Sequence, residues 1–538
     1  MLCLKGRQMT FHRSSPRNSA LSPWAAALLC VLGLVALGLP VLMSGCSDIE
    51  EDPSSGPATG ANPDNLDAEH WETILINGKS AGFQCLEIHP VEHEGELAYR
   101  IDLLSEMKAT QFGTSLTIRI LGDAVMRPDG TPISFHETVQ IGPDMQSIDG
   151  LLQGDSVQAI INIGGAEQTQ EIAWHDNAIF MIGVPFSLWT QPMSLGETRA
   201  LRSFELQQGM TQHQLRAKRK ETVRIGNRDL ELLRIEDAMQ IGGIPVPTVY
   251  WADAEGTILK SSMGGIAESY QATREEALAV ASTSTVDLGF GIAVPVARSL
   301  DPPHETRSVR YRVSMRGDDP SAVFPESDFQ TVERIDDHTA LMVVSAASTY
   351  TGSDSGALLT NESASANAED TEPTLLITSD DPIVLRLAEK LSWSETPPQT
   401  PEEAHQAALD VVQLVHDKMQ PGYGRGLVSA AEAAESLSGD CTEHAILAAA
   451  IARSIGLPAR TAFGLVYVDQ TFCFHMWTEV QIQGRWVPFD ATLSSRGVGA
   501  AHIKLAHSSF SEQFPLIELL PTLRVLGKMD LEIVDIER

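Results

Sequence analysis

Cysteine is scarce in this chain. Of 538 residues only six are cysteines, at positions 3, 30, 46, 85, 441 and 473, too few and too scattered for a disulfide scaffold. Positive charge is scarce as well. Lys and Arg number 38 against 71 Asp and Glu, a formal net charge of −33. That excludes nucleic-acid binding by a general electrostatic mechanism, which needs clustered cations for the phosphates. It also argues against attachment to anionic lipid through a basic surface, while favouring solubility. Several motifs are missing: paired Cys-x-x-Cys, His-Glu-x-x-His, an acidic calcium loop and a Gly-rich phosphate loop. No metal and no cofactor is therefore expected. What is present is an ordinary globular composition, 43% hydrophobic and 20% charged, over a length suited to about two to four domains.

The N-terminal stretch reads as a targeting segment. Lys5, Arg7, Arg13 and Arg17 make a basic start, Trp24 to Met43 is a continuous apolar run interrupted by Pro40, and Ser44-Gly45-Cys46 follows. This resembles a bacterial lipoprotein signal, with Met43 standing where Leu is usual. The resemblance implies lipidation at Cys46 and a signal over residues 1–46. The alternative is an uncleaved signal anchor, for which the run is long enough. Either way the body is expected to be exported and membrane-anchored, periplasmic or at the cell surface. Cys3 and Cys30 would leave with the signal, so Cys85, Cys441 and Cys473 remain.

Residues 47–69 are acidic and rich in Pro, Gly and Ser, the composition of a flexible linker. Residues 70–300 alternate in strand fashion, as in Leu116-Thr117-Ile118-Arg119-Ile120, with turns at Asn77-Gly78, Pro128-Asp129-Gly130 and Ala254-Glu255-Gly256. One or two antiparallel β domains are expected there. A small β segment follows over 301–348, with Val309 to Val313 alternating, and a Ser/Thr/Ala-rich linker over 349–373. A final domain occupies 374–538.

The chemistry lies in that final domain. Asp440 and Glu443 form the pattern of a capping box that opens a helix. Cys441 to Ile455 contains no Pro or Gly, and Gly456-Leu457-Pro458 is a stop signal. Cys441 falls on the first helical residue, where unpaired amides and the helix dipole favour thiolate and could stabilise an oxyanion; the adjacent Asp440 opposes thiolate. Downstream, Phe472 to Ile482 and Trp486 to Thr492 alternate around a Gln483-Gly484 turn. If those two residues are the loop, Ile482 faces Arg485 and Trp477 faces Asp490. His475 and Asp490 then become diagonal neighbours, about 7–8 Å apart at the backbone, and a one-residue slip in register would separate them. A thiol needs a base and an orienting group beside it to act as a nucleophile, and this stretch can supply all three.

These residues resemble the core of the transglutaminase-like superfamily in its bacterial, papain-like form. The match runs through Gly439, Asp440, Cys441, Glu443, His444, Ala445, Arg453, Gly456, Pro458, Ala459, Arg460 and Gly464, then His475, Trp477, Glu479, Trp486, Pro488 and Asp490. One departure is Ser438, where many relatives carry a bulkier or basic residue. The resemblance implies Cys441 as nucleophile, His475 as general base and acid, and Asp490 as orienter. It also implies an α+β papain-like transglutaminase core at the C-terminus, preceded by mostly antiparallel β domains.

Rival roles are specific. His444 is an alternative base, Glu479 a substitute orienter and Cys473 a redox partner for Cys441. Trp477 could line the groove. Arg453 and Arg460 read as structural ion-pair residues, and His502 and His507 carry no ligand pattern. The expected activity is acyl transfer on a protein or peptide substrate, with hydrolysis favoured over cross-linking. The alternative from another class is a non-catalytic binding or scaffold protein.

Overall fold

The computed structural model describes residues 68–538 apart from short internal segments, the longest being 348–365 and 512–520. The expected signal over 1–46, Cys46, nearly all of the 47–69 linker and much of the 349–373 linker lie outside the described residues.

Residues 68–287 build one continuous sixteen-stranded sheet, the realisation of the expected β-rich region. Two antiparallel meanders meet where strand Ala68–Ile76 pairs with Ala267–Gln271. The three sequence turns all form. Asn77 and Gly78 both adopt positive φ, 50° and 71°, the geometry that lets a two-residue turn follow the twist of its strands. Alternation decides which side chains go inside: Leu116, Ile118 and Ile120 are buried while Ser115, Thr117 and Arg119 are not. Two short helices, Gly183–Thr190 and Arg274–Thr283, pack on this sheet. Strand patterning alone gave no sign of them.

A buried polar bridge crosses three strands of this sheet. His213 Nε2 lies 3.0 Å from Ser203 Oγ, and its Nδ1 lies 2.6 Å from Asp237 Oδ2. The Gln214 amide donates to Asp237 Oδ1 at 3.0 Å. The order is that of a hydrolase triad, but Gly183 backbone lies directly on the serine. A Cβ at 183 would sit 2.3 Å from Ser203 Cβ and 3.1 Å from its Oγ. The bridge ties strands Thr198–Glu205, Gly209–Ile225 and Arg228–Ile241 together through buried side chains. Asp237→Ala, which leaves buried donors without their acceptor, is expected to cost about 3 kcal/mol, read as a lowered urea midpoint.

The next boundary departs from expectation. Strand Ser308–Met315 pairs on one side with Thr339–Ser345 and on the other with the C-terminal strand Met529–Glu537. The small β segment and the end of the final domain are thus one four-stranded sheet, and the 301–348 and 374–538 division does not separate two bodies. Val309, Tyr311, Val313 and Met315 are buried on one face, and Leu531 and Ile533, cross-strand partners of Val313 and Tyr311, extend that buried face. Such long-range pairing leaves no local signal.

The final domain is α+β. Helices Pro382–Ala388, Pro401–Lys418, Ala430–Ser436 and Cys441–Ser454 pack beside a sheet of strands Ala459–Val468, Thr471–Ile482, Arg485–Phe489 and His502–Ser508. One edge of Thr471–Ile482 carries Arg485–Phe489 and also the short strand Val294–Pro295. Helix Cys441–Ser454 is buried on every side from Cys441 to Arg453, not on one face only. Its alanines are small enough for the sheet and three helices to close around it. The large sheet reaches this region too: Gln146 Nε2 donates to the Leu427 carbonyl at 3.3 Å, a short distance before the cysteine helix.

Candidate active site

The cysteine helix begins as its sequence dictates. Asp440 is the N-cap, its Oδ1 accepts from the Thr442 amide at 2.9 Å, and Glu443 Oε2 returns an acceptor to the Asp440 amide at 2.7 Å. Cys441 is the first helical residue. At the other end Gly456, at φ 86°, provides the left-handed exit before Pro458. The sulfur is completely buried and accepts a hydrogen bond from the Met476 amide at 3.2 Å.

The hairpin forms in the expected register. Gln483 and Gly484 take positive φ, 51° and 77°, and Ile482 faces Arg485. Pairing continues to Thr478 opposite Phe489, so Asp490 leaves the strand end beside the His475 face. His475 Nε2 and Asp490 Oδ2 are 2.7 Å apart. The other carboxylate oxygen accepts the amides of Thr492 at 2.7 Å and Leu493 at 3.1 Å.

A fourth donor completes the set. His502 Nε2 lies 3.1 Å from the same Asp490 Oδ2. Burial alone would raise the Asp490 pKa, but the two histidines, by charge and hydrogen bond, hold it well below the usual carboxylate range. Because an ionised carboxylate only accepts, both histidines must present Nε2–H to it. Nδ1 of His475 has no hydrogen-bond partner and is left as the basic nitrogen.

The thiol behaves differently from the helix-start expectation. Burial pushes its pKa well above 9; Asp440, Asp490 and Glu443 push the same way, and only the Met476 amide opposes them. Desolvation and the nearby carboxylates thus oppose the helix dipole at this sulfur. Attack by a thiol requires a base to take its proton.

The rival residues are placed elsewhere. His444 Nδ1 lies against the Asp440 carbonyl of its own helix. Glu479 is a buried ion-pair residue: Arg460 Nε and Lys504 Nζ each lie 2.9 Å from its Oε2, and the Arg460 guanidinium stacks 3.9 Å over the Trp486 ring. Burial would raise its pKa, but Lys504, Arg460 and His507 hold it below the usual value. Glu479→Gln, which deprives two buried cations of their counter-charge, is expected to cost about 3 kcal/mol, measurable in a thermal or urea melt. Arg453 serves structure as well, donating to the carbonyls of Ala459 and Glu372 and to Ser509 Oγ. Cys473 is a free, buried thiol, pushed up to about 11 by burial. Trp477 packs within the histidine cluster, with ring centroids 6.3 Å from His475 and 5.4 Å from His502.

His502 was not legible as a site residue. It reaches Asp490 because strand His502–Ser508 pairs with Ala459–Val468 and shifts register between Phe463 and Gly464. Gly464 permits that approach: a Cβ there would fall 1.9 Å from the Ile503 carbonyl oxygen. A motif glycine with no turn around it was the available hint, since bulges re-aim side chains near sites. Among the described residues His475, Asp490 and His502 are also the group whose ligand atoms could hold a metal, all within 4.8 Å of one another. Both Nε2 atoms lie within hydrogen-bond distance of the carboxylate.

Residues 386–491 match the family model described as the transglutaminase-like superfamily, so the chain carries a transglutaminase-like domain, α+β in form and preceded by the large, mostly antiparallel β region. Among solved structures, a candidate cysteine protease from Cytophaga hutchinsonii is similar at 14% identity with a TM-score of 0.26, over 42% of this chain and 83% of that one. The periplasmic domain of TgpA from Pseudomonas aeruginosa, bound to ethylmercury, is similar at 15% identity with a TM-score of 0.22, over 37% of this chain and 82% of that one. No match was found among curated proteins.

Proposed function

We propose that this protein is an exported, membrane-tethered cysteine enzyme that cleaves amide or peptide bonds through Cys441, His475 and Asp490. One observation carries the reading. Asp490 fixes His475 by Nε2 and leaves Nδ1 unpartnered, one residue from the amide that touches the Cys441 sulfur.

In the proposed mechanism, His475 Nδ1 takes the thiol proton as the sulfur attacks the substrate carbonyl. The tetrahedral adduct collapses, the C–N bond breaks, and the imidazolium delivers the proton to the departing nitrogen. A thioester on Cys441 results. His475 then activates water, giving the acid and the free thiol. Asp490 holds the imidazole in one tautomer and balances its transient charge. No cofactor takes part in any step.

The alternative outcome is transfer of the acyl group from the Cys441 thioester to a primary amine, giving cross-linking; burial of the sulfur shields it from water and amine alike. The tether rests on the basic and apolar N-terminal sequence and Cys46. Among the described residues no helix is long and apolar enough to cross a membrane.

The test is the mature body and its Cys441→Ala form, screened against peptides, cell-wall peptides and glutamine donors with primary amines. Turnover by the parent alone supports the reading. Equal turnover by both forms would overturn it, and turnover by neither would favour the scaffold alternative.

A further inference from the structure

The unexplained part of the site is its second histidine. An orienting carboxylate needs one imidazole to hold, and Asp490 Oδ2 holds two, His475 at 2.7 Å and His502 at 3.1 Å. Both rings and the carboxylate are buried. The rings of His475 and His502 are 5.8 Å apart, and Trp477 stands edge-on to His502 at 5.4 Å. Behind them His304, from the segment before strand Ser308–Met315, packs edge-on to His502 at 5.6 Å.

We propose that His502 is a positioning residue for the reaction, its Nε2–H pinning the shared oxygen of Asp490 so that the carboxylate holds His475 in place. This rests on the catalytic reading above.

A carboxylate attached to a strand end can turn about its χ2 bond, which swings both oxygens. Two backbone amides fix Oδ1. With His475 as the sole partner of Oδ2, motion of the imidazole would carry the oxygen with it. A second, independently anchored donor removes that freedom. His502 is anchored on a different strand, whose approach depends on the bulge at Gly464, and its ring is wedged between Trp477 and His304. A carboxylate has acceptor sites for all four donors, and outer partners of this kind orient the groups that do chemistry.

His502 also bears on charge. Burial lowers its pKa, while the hydrogen bond and charge of Asp490 raise it and nearby His475 lowers it. His304 is pushed down to about 4 by burial, with His502 and His475 acting in the same direction and Asp490 against them. Burial thus works against a charge on either ring, which suits His502 to a donor role beside the imidazolium formed on His475.

The experiment compares His502→Phe, which removes the donor, with His502→Gln, which keeps one, in the full chain. His502→Phe is expected to lower kcat about ten- to a hundredfold with KM within about twofold, and His502→Gln to recover most of the loss. The pH profile supplies a second readout. The groups facing Asp490 are His475, His502, His304, His444 and Cys441. Loss of the His502 donor leaves the carboxylate less depressed, so acid inactivation of His502→Phe should begin at higher pH than in the parent. Equal kcat and an unchanged acid side in His502→Phe would overturn the proposal.

A third readout does not depend on turnover. In protein labelled with 15N at histidine, two strongly downfield protons on Nε2 are expected, from His475 and His502. His213 contributes on Nδ1 and is thereby distinguished. Loss of one Nε2 signal in His502→Phe supports the assignment. If that variant does not fold, the parent spectrum decides: a single such Nε2 proton overturns the proposal. Should Cys441→Ala leave turnover unchanged, the catalytic reading fails, whereas the spectrum still reports whether Asp490 is doubly held.

Discussion

Cys441→Ala is expected to reduce turnover by roughly 10⁴- to 10⁶-fold while leaving the fold intact. The magnitude follows from the role. Removing the nucleophile removes the covalent route entirely, and what is left is the residual catalysis from binding and any oxyanion stabilisation. The fold should survive because Ala occupies the volume of Cβ, the residue is the first of its helix, and the Asp440–Glu443 cap does not use the sulfur. The lost contact is one amide-to-sulfur hydrogen bond. Circular dichroism and a thermal melt alongside the kinetics separate loss of chemistry from loss of structure.

Asp490→Asn is expected to cost roughly 10³-fold in kcat, and here the hydrogen-bond inventory is decisive. Four N–H donors converge on this carboxylate: Thr492 and Leu493 amides on Oδ1, His475 and His502 on Oδ2. An amide side chain offers one acceptor oxygen and one NH2 group. If its oxygen faces the histidines, its NH2 meets two backbone donors. If it is flipped, its NH2 meets the imidazoles and forces His475 into the wrong tautomer. An orienting asparagine could serve a site with one imidazole and no converging amides, but not this one. Some loss of stability should accompany the loss of rate, read from the same melts.

The pH sign for Asp490 follows from its depressed pKa. The carboxylate contributes stability that is fully present above its unfolded value near 3.8 and is lost as pH falls through the lower folded value. The carboxylate is thus ionised across the neutral range. A titration between pH 5 and 8 belongs to other groups.

The geometry of the candidate site was legible where it depended on local rules. Asp440 and Glu443 announce the cap, Gly456 and Pro458 the stop, and Gln483-Gly484 the hairpin whose register brings Asp490 to His475. Each is a relation among residues within about one turn or one hairpin, where hydrogen-bond arithmetic is short-range. What escaped was set by distant pairing and burial. The C-terminal strand joins Ser308–Met315 across more than two hundred residues, so a boundary drawn from composition fell inside one sheet. His502 reaches Asp490 only through a bulge in a neighbouring strand. The helix-tip preference for thiolate is a local tendency that complete burial and three nearby carboxylates oppose. Glu479 shares the His475 face in sequence, yet two buried cations claim it.

The claim on which the account turns is that Cys441 is activated by His475, and alkylation tests it without knowledge of the substrate. Cys85, Cys441 and Cys473 are all free and buried, and burial raises all three thiols, Cys85 to about 12 and Cys473 to about 11. Burial and acidity alone therefore give no advantage to Cys441. With iodoacetamide near neutral pH and peptide mapping by mass spectrometry, the account predicts that Cys441 is modified first and that this preference disappears in His475→Ala. Equal, slow modification of the three thiols in the parent protein would contradict it.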